Sequence, residues 1–246
     1  RLMTPEIRRY FFDALRTARA ASLGDGEAFD AIVVVVEQLG ALLKFKPSTG
    51  LQSIEPELHG IAEKSALAQI IPAAWPFLHR DWTRLFGFCL QARNEAIHQG
   101  ARARHLSSYW VQLSLILEDA LMQEARTASE FMVSRPLEAL PWQPVSYVRQ
   151  AMLANGFSYV PVRIDGEWLL LSDLAVARYL DRKDSARRRE CLGTKLEDAV
   201  RSGDLILISA RTCSGETPTT ELLAEATGVP VLVVDGSNLV GIITPF

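Results

Sequence analysis

The sequence predicts an α plus α/β chain: an N-terminal antiparallel helical bundle over residues 1–126, then an α/β half over residues 127–246. Three observations carry this. Up to Arg126, apolar residues recur at spacings of three and four, the period of a half-buried helix. Beyond it, short β-branched runs alternate with helical stretches. Within that second half one unit occurs twice. Val160-Pro161-Val162 leads to Asp165-Gly166, and Val229-Pro230-Val231 leads to Asp235-Gly236, at separations of 69 and 70 residues. A repeated supersecondary unit is a stronger signal than any single element in it.

The helical elements follow in order. Thr4-Pro5-Glu6 opens the first, with Pro at a tolerated first-turn position and Ile7, Phe11, Ala14 and Ala18 on one stripe. A valine-rich helix is expected from Glu27 to Leu43, broken by Lys46-Pro47-Ser48-Thr49-Gly50. A third is expected over Pro56–Ile71 and a fourth over Asp81–Gln99, with Gly100 as its cap. The last starts near Leu106 and aligns Trp110, Leu113, Leu117 and Leu121. Short connections between such helices favour antiparallel neighbours.

In the second half, strands are expected at Phe157–Ile164, Trp168–Ser172, Leu205–Ile208, Val229–Val234 and Leu239–Thr244. Helices are expected near Val145–Ala154, Asp173–Leu180, Leu196–Arg201 and Thr219–Thr227. In each copy a helix precedes the Val-Pro-Val strand, and Asp-Gly then turns the chain into a second strand. Arg187-Arg188-Arg189 reads as exposed linker between the copies, or as a contact for phosphate.

Composition narrows the function classes. A net charge of −3 with 48% hydrophobic and 22% charged residues excludes a disordered, collagen-like or coiled-coil chain. It also excludes a wholesale nucleic-acid coating, although a local basic patch can hide inside a neutral sum. Arg outnumbers Lys 21 to 5, which codon usage explains most simply. Three widely spaced cysteines (Cys89, Cys191 and Cys213) suggest neither a disulfide framework nor a zinc site, so a reduced cytoplasmic setting is expected. No apolar run approaches the roughly 20 residues a bilayer requires. The chain begins at Arg1 and stops at Phe246, and both ends are expected to be trimmed.

The repeat resembles a tandem CBS (cystathionine-β-synthase-type) domain pair. Copy one, about 128–182, holds Phe131-Met132-Val133-Ser134-Arg135-Pro136, Gln143-Pro144-Val145, Asn155-Gly156-Phe157 and Leu171-Ser172-Asp173-Leu174. Copy two, about 203–246, holds Glu216-Thr217-Pro218-Thr219 and Gly241-Ile242-Ile243-Thr244-Pro245-Phe246. The resemblance implies a regulatory adenosine-containing ligand: AMP, ADP, ATP or S-adenosylmethionine, with no metal. It places ligand contacts at Thr244 and Pro245, at Ser172 and Asp173, and at Val160 and Val229. Two departures stand out: Leu169 takes the place of the family's Gly, and Ala175 that of its ribose-binding Asp. For Ser172 and Thr244 two readings stand, phosphate contact or helix cap. If one nucleotide site works, Thr244 is expected to serve it.

In the first half, Gln91-Ala92-Arg93-Asn94-Glu95-Ala96-Ile97-His98 resembles the core motif of HEPN domains, an Arg and a polar residue followed by His. That family consists of helical bundles, commonly dimeric, many of them metal-independent RNA endonucleases. The resemblance implies Arg93 holding phosphate, His98 moving protons and Asn94 orienting the pair, at a site shared by two protomers. Residues five apart lie roughly 140° apart on a straight helix, so Arg93 and His98 do not share a face. The competing reading pairs Arg93 with a surface acid and leaves His98 at a helix end. Nearby Arg102, Arg104 and His105 either extend a phosphate-tracking patch or form a solvated loop.

The function expected is a homodimeric, cytoplasmic, nucleotide-sensing protein whose CBS pair regulates an endoribonuclease, with RNA as a partner and neither DNA nor membrane involved. The alternative is a non-enzymatic sensor whose bundle dimerises or docks on a partner.

Overall fold

The computed structural model describes residues 3–45, 50–98, 103–181, 184–224 and 227–244, and among these the side chains of all but 95–98 and 103–106. The chain folds as two compact units, Arg1–Arg126 and Thr127–Phe246.

In the first unit, Thr4 accepts the Ile7 N–H at 3.3 Å, and Pro5 opens α1 (Pro5–Gly24). A cap followed by a residue with no N–H is the arrangement a helix start favours. Phe11, Phe12, Leu15 and Ala18 form the buried face, while Ile7 and Ala14 are only half-buried. Asp25 caps a short 3-10 turn at Gly26–Phe29, which delays α2 to Asp30–Lys44. Phe45, in the left-handed region at φ 54, ends it; of the expected Lys46–Gly50 break, residues 46–49 lie outside the described residues.

The single helix expected over Pro56–Ile71 is two, α3 (Glu55–Ala62) and α4 (Ile70–Ala74). The Lys64 and Ser65 N–H groups donate to Ile61 and Ala62, tightening the turn. The buried Ser65 hydroxyl then accepts the Leu67 N–H at 3.1 Å and donates to Asp119 at 2.5 Å. A hydroxyl offering the backbone another partner competes with the helix, and here a tertiary contact holds it in place. Asp81 accepts the Arg84 N–H at 3.0 Å ahead of α5 (Trp82–His98). The last helix, α6 (Ala103–Met122), starts earlier than expected and buries Trp110, Leu113, Leu117 and Leu121.

Pairing between helices gives their directions. Arg8 near the start of α1 meets Glu124 just past the end of α6, and Arg19 further along meets Glu118 further back. These two helices are therefore antiparallel. Arg80 donates to Gln112 and Phe88 stacks on Tyr109, so α5 also opposes α6. Glu118 is only 5% exposed, and Arg19 satisfies it with two bonds of 2.8 and 2.9 Å.

The second unit opens with α7 (Ala128–Phe131) and β1 (Val133–Ser134). Copy one follows as α8 (Val145–Asn155), β2 (Tyr159–Ile164), β3 (Glu167–Ser172) and α9 (Asp173–Leu180). Between the copies run α10 (Ser185–Gly193), α11 (Leu196–Arg201) and β4 (Ile208–Ser209). Copy two consists of β5 (Arg211–Cys213), α12 (Thr219–Ala224), β6 (Val231–Asp235) and β7 (Asn238–Ile243). The Arg187–Arg189 stretch read as linker is thus helical. Asp184 caps it by accepting the Arg187 N–H at 2.8 Å, and Arg187 pairs with Glu190 at 2.6 Å.

The two sheets repeat one pattern of strand neighbours. One has the order β2-β3-β4, with Ala139 bridging Val162 in parallel on the outer side. The other has the order β1-β7-β6-β5, with β5 parallel to β6. Each copy therefore has one parallel neighbour and one antiparallel hairpin, and each sheet is closed by a short strand. The strand that closes copy two's sheet, β1, lies at the start of copy one; β4, which closes copy one's, lies at the start of copy two.

The Asp-Gly echo does not hold its place. In copy one Asp165 (φ 51) and Gly166 (φ 89) form the turn, the positive-φ pair a two-residue hairpin favours. Copy two has one more residue before its Asp-Gly, so Asp235 ends β6 and the turn falls on Gly236-Ser237. The β6–β7 ladder shows a register shift at Val233/Val234.

Candidate ligand-binding cleft

Two prolines mark where the copies of the repeat meet an open space. Strand side chains alternate between faces, so Val160 and Val162 enter the core of copy one while Tyr159 and Pro161 point to the other face. In copy two, Gly228 and Pro230 likewise flank Val229, which packs between the sheets near Leu170, Leu232 and Ile242. The faces holding Pro161 and Pro230 line a cleft of about 520 Å³. Val133, Pro136 and Leu137 line it from the loop after α7, and Ile242 and Thr244 from the end of β7. Gly156, Phe157, Ser158 and Asp173 complete it from copy one.

The junction between β3 and α9 is closed by its own side chains. The Asp173 N–H donates to the Ser158 carbonyl at 3.0 Å. Leu174 N–H donates to the Asp173 carboxylate at 2.6 Å, and Ala175 N–H to Ser172 Oγ at 3.0 Å. Ser172 is buried and takes the capping role of its two readings. Its hydroxyl and these three amides are committed to structure before any ligand arrives. Gly156, at φ 65, ends α8 in the left-handed region beside the cleft. Glu138, next to Leu137, has its carboxyl held above the usual range by burial, against the lowering pull of the Arg163 guanidinium.

The residues expected to contact ligand are distributed as follows. Thr244 is exposed and lines the cleft, as does Asp173. Ser172 does not line it, and Val160 and Val229 lie one residue away from the positions that do. Pro245 lies outside the described residues. Phe157, Tyr159, Pro161 and Pro230 line the cleft but are not among the residues expected to contact ligand. Strand parity and the two repeated prolines were the signals that could have found them.

Gly241 explains one departure between the copies. A Cβ there would collide with the Met132 sulfur and come within 2.6 Å of its Cγ. In copy one the matching Leu169 instead packs its side chain against that copy's core.

In the helical unit, the Arg93 guanidinium pairs with Glu37 of α2 at 2.9 Å, both side chains about one-third exposed. Asn94 is exposed. His98 falls in the last turn of α5, and its side chain lies outside the described residues, as do Arg102 and the side chains of Arg104 and His105. Among the described residues no His, Cys, Asp or Glu cluster has a metal-holding arrangement. None of the described helices is long and apolar enough to cross a membrane.

No family model and no curated protein matches the chain. Among solved structures it is similar to a CBS domain-containing protein of unknown function from Bacillus anthracis str. Ames Ancestor. That match has 14% identity and a TM-score of 0.39, covering 48% of this chain and 86% of that one. The CBS-pair protein CBSX2 from Arabidopsis thaliana matches at 22% identity and a TM-score of 0.36, covering 48% and 87%. A structure of CBSX2 in complex with AMP matches at 19% identity and a TM-score of 0.37, covering 49% and 91%. These neighbours are CBS-domain proteins, and each likeness extends over about half of the present chain.

Proposed function

We propose that the Thr127–Phe246 unit is a tandem CBS-type module that binds an adenosine-containing ligand in the cleft between its two copies and regulates the helical unit. The observation that carries this reading is the contribution of both copies, through Pro161 and Pro230, to one cavity of about 520 Å³. That volume, mostly apolar with a few polar groups at the rim, suits a small ligand with an aromatic ring. Regulation follows only if the ligand binds two arrangements of the protein with different affinity. A thermal-shift panel of AMP, ADP, ATP and S-adenosylmethionine tests the binding. A ligand at 100 times its dissociation constant stabilises the protein by about 2.7 kcal/mol, and no shift with any of the panel defeats the reading.

For the helical unit, the reading with most support is a dimerising or partner-docking output. The Arg93–Glu37 ion pair gives the guanidinium a partner within the chain, which a phosphate would have to displace. The second reading is a metal-independent endoribonuclease in a homodimer, with Arg93 and Asn94 beside a proton-shuttling His98. Incubating the purified chain with RNA in the presence of a chelator separates the two. Cleavage that disappears in both Arg93→Ala and His98→Ala establishes the nuclease, and intact RNA with wild-type protein removes it.

A further inference from the structure

The helical unit has a cavity of its own. It measures about 640 Å³ and lies where the end of α1 and the turn after it meet the first turns of α6. Ser22, Ser108 and Gln112 line it, together with residues 24–26 of the turn. Ser22 is only 3% exposed, and its Oγ is buried without a hydrogen-bond partner. A buried hydroxyl left unpaired costs free energy, and a polar ligand in this cavity would supply the partner that the fold does not.

Beside Gln112 stand two cations that meet no carboxylate. Arg80 donates from Nη1 to the Gln112 side-chain oxygen at 3.2 Å, which leaves the amide nitrogen of Gln112 as a donor. The Arg80 guanidinium lies over the Phe88 and Tyr109 rings, 5.7 and 5.1 Å from their centres. That of Arg84 lies 5.9 Å from the centre of the same Phe88 ring. Elsewhere in this unit Arg8, Arg19 and Arg93 each pair with a glutamate. Among the described residues neither Arg80 nor Arg84 forms an ion pair. Two acids stand close by in the chain, and each serves a backbone group. Asp81 accepts the Arg84 N–H and Asp25, in the cavity wall, accepts the Glu27 N–H, both at 3.0 Å. Two like charges gathered on one ring repel each other, and an opposite charge beside them relieves this. A guanidinium presents its N–H groups in the planar fork that fits phosphate.

We propose that this face of the helical unit binds a phosphorylated polyol, of the sugar-phosphate class. Arg80 and Arg84 take the phosphate, and the Gln112 amide donates at the boundary between phosphate and sugar. The hydroxyls enter the cavity, where Ser22 Oγ and the Asp25 carboxylate meet them. The separation of charge sets this orientation, with a carboxylate in the cavity wall and two cations beside it. The cavity has the size of a small-molecule site. It lies wholly within Arg1–Arg126 and so stands apart from the cleft of the second unit.

Calorimetry on the whole chain tests this with ribose 5-phosphate, glucose 6-phosphate, the two parent sugars and inorganic phosphate, in wild type and in Arg80→Gln, Arg84→Gln and Ser22→Ala. At least one sugar phosphate is expected to bind about tenfold more tightly than its sugar or phosphate alone, since one molecule engages both parts of the site. Each arginine variant should weaken that binding about tenfold or more, as loss of a charge-assisted bond does, and should reduce its sensitivity to salt. Ser22→Ala should weaken it roughly 2- to 12-fold without lowering the melting temperature of the ligand-free chain, because its hydroxyl has no partner to lose. That readout also decides the matter if an arginine variant fails to fold. No binding of either sugar phosphate, inorganic phosphate binding as tightly, or affinity unmoved by the variants overturns the proposal. A ribo-oligonucleotide that binds more tightly and loses affinity in the same arginine variants overturns the polyol in favour of RNA.

Discussion

Among the described residues, copy one closes a core of fourteen buried residues around α8, β2 and α9, while copy two gathers five around Met132, Leu222 and Val233. The strand order is the same, and the interiors differ among the described residues. The difference extends to the strand-to-helix junction. In copy one, Ser172 and Asp173 are bonded to backbone N–H groups of α9. At the corresponding end of β7, Thr244 is exposed on the cleft. One motif written twice thus buries its hydroxyl in copy one, where Ser172 caps α9, and exposes it in copy two, where Thr244 lines the cleft across from Asp173. A hydroxyl at a matching position is not evidence of a matching role.

The core contrast predicts the largest effects. Truncating Leu171 in copy one should cost about 4 kcal/mol, and truncating Leu222 in copy two about 2 kcal/mol, both inside the usual large-to-small range of about 2–5 kcal/mol. Urea denaturation measures both, and equal costs would break the comparison. Next comes Gly241→Ala, which forces Met132 out of its place and should cost about 1–3 kcal/mol. Shortening Met132 to Ala in the same chain should recover part of that loss, and a double-mutant cycle reads the coupling. The smallest effects sharpen the junctions. Ser172→Ala should lose about 1 kcal/mol of stability and leave ligand affinity unchanged. Thr244→Val should do the reverse, weakening ligand roughly 2- to 12-fold for one lost hydrogen bond and shifting the melting temperature little. A Ser172→Ala variant that loses affinity would erase the distinction.

Much of this was legible in the residues. The Val-Pro-Val repeat was visible because it occurs twice, and the long stripe from Trp110 to Leu121 because four buried positions keep one period. The strands β1 and β5 were missed and β4 was misplaced, because two or three residues carry no periodicity and their partners lie far along the chain. The break between α3 and α4 depends on the Ser65–Asp119 bond, 54 residues apart, which no local pattern records. In the cleft, Thr244 and Asp173 could be named from the family pattern. Val160 and Val229 were each one position off because the motif shows which strand matters and the pleat decides which face. Glu37 as the partner of Arg93 was equally out of reach, since nothing in either helix points to the other.

The crossed edges of the second unit have a consequence for the order in which it forms. β1 leaves the ribosome early, yet its partner β7 follows about a hundred residues later, some 5–20 seconds of synthesis at ordinary rates. Until then two residues of strand and the Met132 side chain have no sheet to join. Copy one likewise waits for Ile208 and Ser209 before its edge is covered. Neither copy can be cut away and leave the other whole, and the unit reaches its native pairing only when both ends of the repeat have been made. Long-range closure of this kind is slow compared with helix pairing, so the helical unit has time to finish folding while the second is still being assembled.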